Sequence, residues 1–437
     1  IRGRFGEEPL PPVNLYRLGL AIGQTVAKPS QGSRAKQPQR VLIGRDTRAS
    51  GPEILRELGR GLTASGLKTL DLGVVSTPGV AYCVRSIGAL AGIVISASHN
   101  PAEDNGVKVF GPDGFKLADE AEADIEKLFA SKLAESVPSV PVEDASRQVE
   151  AYREHVIAAG RSKTQLPLKN VKLVVDCANG AASAMAPSIL RELGAVVVEH
   201  ACSPDGNNIN DQCGALHPEL LAKRVTESGA DGGVTFDGDA DRLMLLDERG
   251  RVLDGDHLLA ALARKLKAEN NLPHDTVVGT VMANFGLEKS LAEIGVRLER
   301  TPVGDRHVVA EMLKGDFALG GEQSGHIIHL TRGSTTGDGM FNAVSVLSHV
   351  FGNSNNLGSL FSLVEKMPQV LLNVRVREKP PISSLKGTNE CAQQVRHALE
   401  GKGRVLLRYS GTESLLRVMV EGEDQAAITA GARAIAD

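Results

Sequence analysis

Short apolar runs alternate along the chain with polar, glycine-containing loops and with longer stretches in which apolar residues recur at helical spacing. An apolar run at 41–43 precedes a polar loop, a predicted helix near 52–64 and a second predicted strand at 67–75. The same order returns from 171–175 to a strand at 195–199. Repeated strand–loop–helix–strand order is typical of mixed or parallel α/β sheets. The pattern therefore predicts an α/β protein built from similar units.

The pattern continues to about residue 368 and then changes. A predicted helix at 256–270, a strand at 276–281 and a helix near 286–294 form a third α/β unit. Beyond it, strands at 370–376, 404–409 and 415–421 with a helix at 389–399 indicate a smaller C-terminal α+β domain. A chain of 437 residues suits about three domains, and two to four are compatible with that length. We expect four domains, at 1–150, 151–250, 251–368 and 369–437.

The composition mainly excludes classes of partner. Hydrophobic residues make up 42% and charged residues 23% of the chain, as in folded soluble proteins. A formal charge of −4 offers no broad cationic surface, and 3% aromatic residues without tryptophan offer few stacking platforms, so neither nucleic acid nor a membrane is an expected partner. No apolar stretch approaches the ~18 residues of a membrane span. The five cysteines are scattered without a C-x-x-C pair, which suits reduced thiols and predicts a cytoplasmic location.

The first loop with candidate chemistry is Ile95-Ser-Ala-Ser-His-Asn-Pro101, which follows an apolar run. A serine at the end of a buried strand is rigidly held, and we expect the Ser98 hydroxyl to face solvent as a nucleophile. Lys108, ten residues further on, could neutralise a phosphate or exchange a proton. An ordinary polar turn and a solvated surface lysine remain open as alternatives.

Three carboxylates stand at alternate positions in Phe236-Asp-Gly-Asp-Ala-Asp-Arg242, which predicts Asp237, Asp239 and Asp241 on one side of an extended loop. Closely spaced carboxylate oxygens suit Mg²⁺ or Ca²⁺, because their mutual repulsion is unfavourable without a cation. A calcium-binding EF-hand would need glycine where Arg242 stands, and 243–246 has the pattern of a buried strand. The prediction is therefore a magnesium site, with a solvated acidic turn as the alternative.

Two further loops carry groups that bind sugars and phosphates. In Leu319-Gly-Gly-Glu-Gln-Ser-Gly-His326 the glycines allow tight backbone geometry, and Glu322, Ser324 and His326 offer hydrogen bonds to sugar hydroxyls. In Arg404-Val-Leu-Leu-Arg-Tyr-Ser-Gly-Thr-Glu413 an arginine fork, two hydroxyls and loop amides could form an anion site. Its candidate residues are Arg408, Ser410, Gly411, Thr412 and, after the loop, Arg417. A polar Gly-Gly turn and a charged hairpin are the alternatives.

Glycine loops of two common nucleotide sites are absent from the sequence. Neither G-x-x-x-x-G-K-[ST] nor a strand-linked G-x-G-x-x-G occurs. This argues against binding of nucleoside triphosphates or dinucleotides.

Together the four loops resemble the signature loops of the α-D-phosphohexomutases. Ser-Ala-Ser-His-Asn-Pro, Asp-Gly-Asp-Ala-Asp-Arg, Gly-Glu-Gln-Ser-Gly-His and Arg-Tyr-Ser-Gly-Thr-Glu occur in the family's order, and the resemblance spans nearly the whole chain. Gln323 and the form of the last loop are similar to the bacterial branch that interconverts glucosamine 6-phosphate and glucosamine 1-phosphate. The resemblance implies four domains around a central cleft, and an isomerase of amino-sugar metabolism on the route to peptidoglycan precursors.

The resemblance also implies a role for each loop. Ser98 would be a phosphoserine that gives its phosphoryl group to one end of the phosphosugar and takes another from the opposite end, through a bisphosphorylated intermediate. Asp237, Asp239 and Asp241 would hold one Mg²⁺ with a phosphate oxygen on Ser98, and a sugar 1,6-bisphosphate would be the activator. The resemblance places Arg45, His99 and Lys108 about the phosphoserine, and it implies Lys108 and His326 as proton carriers. Glu322 and Ser324 would bind the sugar hydroxyls. The phosphate that does not react would be bound by Arg408, Ser410, Gly411, Thr412 and Arg417. A homodimer is compatible with the resemblance.

Three other functions stay open at this level. A phosphomannomutase or phosphoglucomutase would share the four loops, because selectivity at the second carbon of the sugar depends on few contacts. A metal-dependent sugar phosphatase could share the serine and the aspartates without a second phosphate site, and a phosphosugar-binding regulator would need no catalysis. If the enzyme closes on its substrate, we expect the hinge near 365–380.

Overall fold

The computed structural model of the chain describes residues 1–27, 39–131, 142–161, 164–399, 401–410 and 413–437, and these residues form four β-sheets in succession. The first three sheets combine parallel and antiparallel strands, and the fourth is a small antiparallel sheet. The predicted fold class, three similar α/β units followed by a smaller α+β domain, is confirmed.

The first unit contains a six-stranded sheet. Its elements are β1 (Arg2–Arg4), α1 (Pro12–Val26), β2 (Arg40–Arg45), α2 (Gly51–Ala64), β3 (Lys68–Val74), α3 (Thr77–Ile87), β4 (Ala91–Ile95), β5 (Asp104–Phe110), α4 (Asp119–Ala130) and β6 (Glu143–Asp144). The strand order is β1–β5–β4–β2–β3–β6, with parallel pairing from β4 to β6 and antiparallel pairing of β5 with both of its neighbours.

The second unit contains a five-stranded sheet in the order β11–β10–β9–β7–β8. Its elements are α5 (Glu150–Gly160), β7 (Lys172–Asp176), α6 (Met185–Glu192), β8 (Val196–His200), α7 (Glu219–Ser228), β9 (Gly232–Phe236), β10 (Leu243–Leu246) and β11 (Val252–Leu253). The pairs among β7, β8 and β9 are parallel, and the other two pairs are antiparallel.

The third unit contains a four-stranded sheet in the order β13–β12–β14–β15, in which only the β14–β15 pair is antiparallel. Its elements are α8 (Gly255–Ala268), β12 (Thr276–Thr280), α9 (Phe285–Ala292), β13 (Arg297–Thr301), α10 (Asp305–Gly315), β14 (Leu319–Gly321), β15 (Ile327–His329), α11 (Gly339–Gly352) and α12 (Gly358–Phe361).

The C-terminal domain has a three-stranded sheet in the order β16–β18–β17. Its elements are β16 (Gln369–Arg375), α13 (Lys386–Ala398), β17 (Gly403–Tyr409), β18 (Leu415–Gly422) and α14 (Gln425–Ala436). Its buried apolar residues form a cluster of their own, whereas one large cluster runs continuously through the first three units. The C-terminal domain is therefore a separately packed body.

The central strands explain where the polar loops lie. All residues of β4, β9 and β12 are buried, as expected for strands of parallel sheets with both faces covered. The Ser98 loop follows β4, the aspartate loop follows β9, and the sugar loop follows β14, each at the carboxyl end of a strand paired in parallel with a neighbour. Ligands of α/β sheets bind at such ends. Within the described part of the chain, no helix is long and apolar enough to cross a membrane.

Candidate active site

Ser98 lies in a tightly held loop beyond β4. Its residue surface is 3% exposed, and its φ of +55° is a left-handed conformation that costs a non-glycine residue about 1–2 kcal/mol. Its backbone N–H donates to Ser96 Oγ at 2.9 Å. The expectation of a solvent-facing hydroxyl is wrong in this structure, because the loop turns the Ser98 side chain towards an aspartate of the second unit.

A buried arginine supports this loop from within the first unit. The Arg48 side chain is 0% exposed, and its Nε pairs with Asp46 Oδ2 at 2.9 Å. Its terminal nitrogens donate to four backbone carbonyls of the loop, those of Ser98 (3.0 Å), Asn100 (2.9 Å), Asp104 (2.8 Å) and Pro101. From the second unit, Asn210 Nδ2 donates to the carbonyls of Ser98 and Asn100, both at 2.9 Å. Two units thus hold the same loop backbone.

The three aspartates lie in a tight turn after β9, not in the extended loop expected. The N–H of Ala240 donates to the carbonyl of Asp237 at 3.0 Å, and one oxygen from each aspartate lies within 4.8 Å of the others. Gly238 allows close approach of the two units, because a Cβ there would stand 2.6 Å from the carbonyl oxygen of Ser98. Ser98 Oγ donates to Asp237 Oδ2 at 2.7 Å. The structure therefore brings the serine and the aspartates together.

Two cations face these three buried carboxylates. Lys108 Nζ lies 2.5 Å from Asp239 Oδ2 and 3.4 Å from Asp241 Oδ2, and Arg242 Nε lies 3.9 Å from oxygens of Asp237 and Asp241. Burial, with repulsion by Asp241 and Asp239, holds the pKa of Asp237 well above its usual range. Burial also tends to raise the pKa of Asp239, but Lys108 outweighs it and holds that pKa below the usual range. The same contacts raise the pKa of Lys108 against the opposing effect of burial.

The aspartate cluster fits a divalent cation. Asp239 Oδ1 and Asp241 Oδ1 are buried and make no hydrogen bond to the described residues. Buried acceptors without a donor are unfavourable, and Mg²⁺ prefers hard oxygen ligands of this kind. The aspartates are therefore candidates to hold Mg²⁺.

His99 and Arg45 are placed differently with respect to the serine. His99 Nδ1 lies 3.5 Å from Ser98 Oγ, and burial together with Arg242 lowers the pKa of the imidazole. Arg45, at the end of β2, donates from Nη1 to Asp71 Oδ1 at 2.7 Å. The structure thus brings His99 beside Ser98, whereas the Arg45 guanidinium is engaged with a carboxylate of β3.

The sugar loop between β14 and β15 packs beside the aspartate turn. Gly325 adopts a φ of +89°, and its N–H donates to the carbonyl of Glu322 at 3.0 Å. A Cβ on Gly325 would stand 2.2 Å from the carbonyl oxygen of Leu243, the first residue of β10. Glu322 Oε1 accepts from the N–H of Gly304 at 3.2 Å, and Ser324 is half-buried. The loop is thus fixed to the strand that follows the aspartates.

His326 is buried, and its two nitrogens differ in their contacts. Nε2 accepts from the N–H of Gly337 at 3.2 Å and lies 3.8 Å from Asp305 Oδ2, whereas Nδ1 makes no hydrogen bond to the described residues. Among the described residues, Nδ1 is therefore the ring nitrogen open to a further partner. Burial tends to raise the pKa of Asp305, but His326 and Lys116, which pairs with Asp305, lower it to about 2.

Two arginines of the C-terminal domain face each other across β17 and β18. Arg408 is directly opposite Arg417, and burial together with Arg417 lowers the pKa of Arg408. Arg417 Nη2 contacts Glu413 Oε2 at 3.1 Å. Like charges opposite each other on a sheet are unfavourable. The pair therefore suits an anion such as a phosphate.

The rest of the phosphate loop is described in part. Ser410 is buried, its Oγ accepts from the N–H of Glu413 at 3.2 Å, and its carbonyl accepts from Lys379 Nζ at 2.7 Å. Gly411 and Thr412 lie outside the described residues.

Three residues that organise the site were missed at the sequence level. Arg48 and Asn210 hold the Ser98 loop, and Thr77 Oγ1 donates to Asp239 Oδ2 at 2.5 Å. Only Arg48 had a usable signal, since it is a charged residue in a loop directly after the buried strand β2. Asn210 and Thr77 act across the boundary between units, which spacing along the chain does not reveal.

Each of the four parts of the chain matches a domain of one protein family. Residues 1–135, 150–250 and 254–367 match the phosphoglucomutase/phosphomannomutase alpha/beta/alpha domains I, II and III, and residues 371–437 match the C-terminal domain of the same family. The chain belongs to the phosphoglucomutase/phosphomannomutase family. The predicted membership among the α-D-phosphohexomutases is confirmed, and this phosphohexomutase is an isomerase of the mutase class.

Curated relatives and solved structures resemble this phosphohexomutase over its whole length. It is 43% identical over 439 residues to the phosphoglucosamine mutase of Bdellovibrio bacteriovorus and 44% identical over 443 residues to that of Symbiobacterium thermophilum. Both alignments cover 100% of this chain and 96% of the relative. A phosphoglucomutase/phosphomannomutase family protein from Burkholderia thailandensis has a TM-score of 0.80 at 24% identity, over 100% of this chain and 95% of that chain.

A further solved structure of this fold was determined with ligands. The N-acetylphosphoglucosamine mutase of Aspergillus fumigatus, in complex with GlcNAc-6P and magnesium, has a TM-score of 0.62 at 20% identity. The alignment covers 96% of this chain and 99% of that chain. At this identity the likeness concerns the fold.

Proposed function

We propose that this phosphohexomutase interconverts glucosamine 6-phosphate and glucosamine 1-phosphate through phospho-Ser98 and a bisphosphorylated sugar. The observation that carries the proposal is the 2.7 Å hydrogen bond from Ser98 Oγ to Asp237 Oδ2, which joins a serine of the first unit to the aspartate cluster of the second. Full-length relatives at 43–44% identity that are named phosphoglucosamine mutase support the choice of the amino sugar.

Ser98 carries the phosphoryl group in this proposal. The group passes from Ser98 Oγ to the O1 hydroxyl of glucosamine 6-phosphate. The P–Oγ bond breaks and a P–O1 bond forms, the O1 proton moves to a side chain of the site, and Ser98 Oγ takes up a proton. The bisphosphate turns around, its P–O6 bond breaks and a P–Oγ bond forms on Ser98. Ser98 Oγ gives up a proton and O6 takes one up, which leaves glucosamine 1-phosphate. Arg48 and Asn210 hold the Ser98 carbonyl throughout, so the nucleophile is positioned before the substrate binds.

Lys108 and His326 are the proposed proton carriers, and their contacts support different tasks. Burial opposes the charge of Lys108, but Asp239 and Asp241 outweigh it and raise the pKa of the ammonium, so Lys108 is placed to neutralise charge and to act as a proton donor. His326 Nε2 accepts from the N–H of Gly337, whereas Nδ1 makes no hydrogen bond to the described residues, so Nδ1 is the nitrogen proposed to exchange a proton with the substrate.

The aspartates complete the phosphoryl-transfer site. Asp237, Asp239 and Asp241 would hold one Mg²⁺ with a phosphate oxygen on Ser98, and the bound ion would offset negative charge on the transferred group. The burial of Ser98 and the aspartates limits the access of water to the phosphoserine. A sugar 1,6-bisphosphate would activate the enzyme by donating a phosphoryl group to Ser98.

The other two loops would bind the part of the substrate that does not react. Glu322 and Ser324 would bind the sugar hydroxyls. The phosphate would be bound by Arg408, Arg417 and Ser410, with Gly411 and Thr412 as predicted partners. The domain boundaries at 150, 250 and 368, the homodimer and the cytoplasmic location stay predictions.

Isomer exchange by the wild type and by Ser98→Ala tests this function. With Mg²⁺ and a trace of glucosamine 1,6-bisphosphate, we expect wild-type protein to convert glucosamine 6-phosphate into glucosamine 1-phosphate, which ³¹P NMR resolves. Ser98→Ala removes the phosphoryl acceptor, so its rate should fall by about a thousandfold or more. Ser131→Ala removes an exposed hydroxyl after α4 and should keep the wild-type rate. Intact mass and peptide mapping should place phosphate on Ser98.

Each alternative function has its own result in this assay. Release of inorganic phosphate without isomer exchange would indicate a sugar phosphatase. Faster turnover of mannose or glucose phosphates than of glucosamine phosphates would indicate a phosphomannomutase or phosphoglucomutase. A fully active Ser98→Ala protein would contradict the phosphoserine mechanism.

A further inference from the structure

A buried carboxylate behind the sugar loop receives hydrogen bonds from three separate segments of the third unit. Asp256, in the first turn of α8, is 0% exposed. Its Oδ2 accepts from Gln323 Nε2 at 3.2 Å, from the N–H of Asn284 at 3.1 Å and from Lys366 Nζ at 2.6 Å. Its Oδ1 makes no hydrogen bond to the described residues. Gln323 and Lys366 therefore share one carboxylate oxygen.

On one side, this carboxylate is joined to the segment that enters the C-terminal domain. Lys366 is followed by Met367, whose N–H donates to Asn284 Oδ1 at 2.9 Å and whose carbonyl accepts from Asn284 Nδ2 at 3.1 Å. The carbonyl of Pro368 then accepts from the N–H of Gly422 at 3.1 Å, in β18. Residues 366–368, which fall within the predicted hinge, are thus tied to the third unit and to the C-terminal sheet.

On the other side, the start of α8 is pressed against the sugar loop. The N–H of Gly255 donates to the carbonyl of Gln323 at 3.0 Å, and a Cβ on Gly255 would stand 2.0 Å from the carbonyl oxygen of Glu322. Both the backbone and the side chain of Gln323 are therefore held by the first turn of α8. Glu322 and Ser324, the candidate sugar ligands, flank Gln323 directly in the sequence.

We propose that Lys366, Asp256 and Gln323 form a positioning relay that holds the sugar loop in register with the phosphate site of the C-terminal domain. This inference rests on the proposed function. The hydroxyls of a bound hexose phosphate must contact Glu322 and Ser324. At the same time its phosphate must contact the side of the C-terminal sheet that carries Arg408.

The C-terminal domain has its own core, so polar contacts place it against the third unit. Arg404 donates to the carbonyls of Val281 and Ala283, and Glu421 accepts from the N–H of Phe285. Among the contacts of the described residues, the relay is the route that reaches the sugar loop itself.

The charges explain why Lys366 is the sensitive member of the relay. Lys366 Nζ also lies 2.5 Å from Asp254 Oδ2, so one ammonium serves two carboxylates. The other oxygen of Asp254 contacts His257 Nδ1 at 2.8 Å. Without Lys366, buried Asp256 would keep only the neutral donors of Gln323 and Asn284 beside a second carboxylate, and Asp254 would lose its cation. The removal of one partner from a buried pair is strongly unfavourable.

A double-mutant cycle with Lys366→Met and Gln323→Met tests the relay. Each single variant should raise the KM for glucosamine 6-phosphate about tenfold and lower kcat less than about threefold, because substrate binding loses its preset geometry. The double variant should be about as impaired as the worse single variant, since both side chains act on one oxygen. Lys366→Arg keeps the cation and should return KM to within about threefold of wild type.

The matched control is Lys386→Met, which removes an exposed lysine at the start of α13 and should leave KM unchanged. Any one of three results would overturn the relay. The KM effects of the single variants multiply in the double variant, Lys366→Arg does not restore KM, or the thermal midpoint falls while KM stays unchanged. Failure of the proposed function is a separate result, seen when wild-type protein does not convert glucosamine 6-phosphate. In that case the Kd of glucosamine 6-phosphate and of glucose 6-phosphate is measured by calorimetry for each variant. The ratios of Kd between variant and wild type then take the place of the KM ratios in the test of the relay.

Discussion

Replacement of Arg48 by methionine should destabilise the first unit and displace the Ser98 loop. The Arg48 side chain is 0% exposed and makes five hydrogen bonds, one to Asp46 and four to loop carbonyls. Methionine has similar length but no donor, so it leaves the Asp46 carboxylate buried and unpaired. Breaking a buried pair in this way costs about 3–5 kcal/mol of unfolding free energy. Because Asn210 would then be the remaining donor to the Ser98 carbonyl, we expect kcat to fall about a hundredfold.

Asp46 determines the pH dependence of this loss. Burial raises the pKa of Asp46, and Arg48 opposes the rise. In Arg48→Met the folded-state pKa rises further above the unfolded value, so the folded state binds more protons than the unfolded state. The unfolded-state pKa is common to both proteins and cancels in the comparison. The stability deficit against wild type is therefore smallest at acid pH, where Asp46 is protonated in both folded proteins, and grows as the pH rises from the folded-state pKa of wild type to that of Arg48→Met.

Urea denaturation followed by circular dichroism at several pH values, with kcat measured by ³¹P NMR, checks both expectations. Asp46→Asn combined with Arg48→Met removes the buried charge and should recover a large part of the stability without recovering kcat. Arg147→Met, at an exposed position, is the control. An Arg48→Met protein that loses less than about 1 kcal/mol and keeps its kcat would refute the reasoning.

Three further predictions follow from close contacts and charges elsewhere in the site. Gly255→Ala should lower the unfolding free energy by about 2 kcal/mol or more and raise KM, because its Cβ would stand 2.0 Å from the Glu322 carbonyl oxygen. Gly387 has open space around it, so Gly387→Ala should be neutral or slightly stabilising. Urea denaturation measures both variants. Chelation of divalent ions should abolish turnover. In metal-free protein Asp237→Asn should raise the thermal midpoint, because it removes a carboxylate whose charged form is disfavoured by burial and by repulsion from Asp241 and Asp239. A lowered midpoint would contradict this account. Arg408→Met should raise the KM of both glucosamine phosphates about tenfold with little change in kcat. Steady-state KM values equal to those of the wild type would exclude a contact between Arg408 and the phosphate.

Local sequence was sufficient for the elements and for the loops that carry chemistry. Strands such as β4 and β9 are continuous apolar runs because both of their faces are covered, and the polar residues that end them mark the carboxyl edge of each sheet. The change of pattern after residue 368 likewise marks a domain with a core of its own. These features depend on neighbours within a few residues, which periodicity records.

Contacts between units were decided by the tertiary structure alone. Ser98 and Asp237 are separated by 139 positions, and their hydrogen bond exists only because the first two units pack with Gly238 against the Ser98 carbonyl. The same packing buries the Ser98 hydroxyl that the sequence placed in solvent, and it recruits Asn210 to a loop of another unit. Spacing along the chain carries no information about such contacts, because they depend on how whole sheets and helices fill space together.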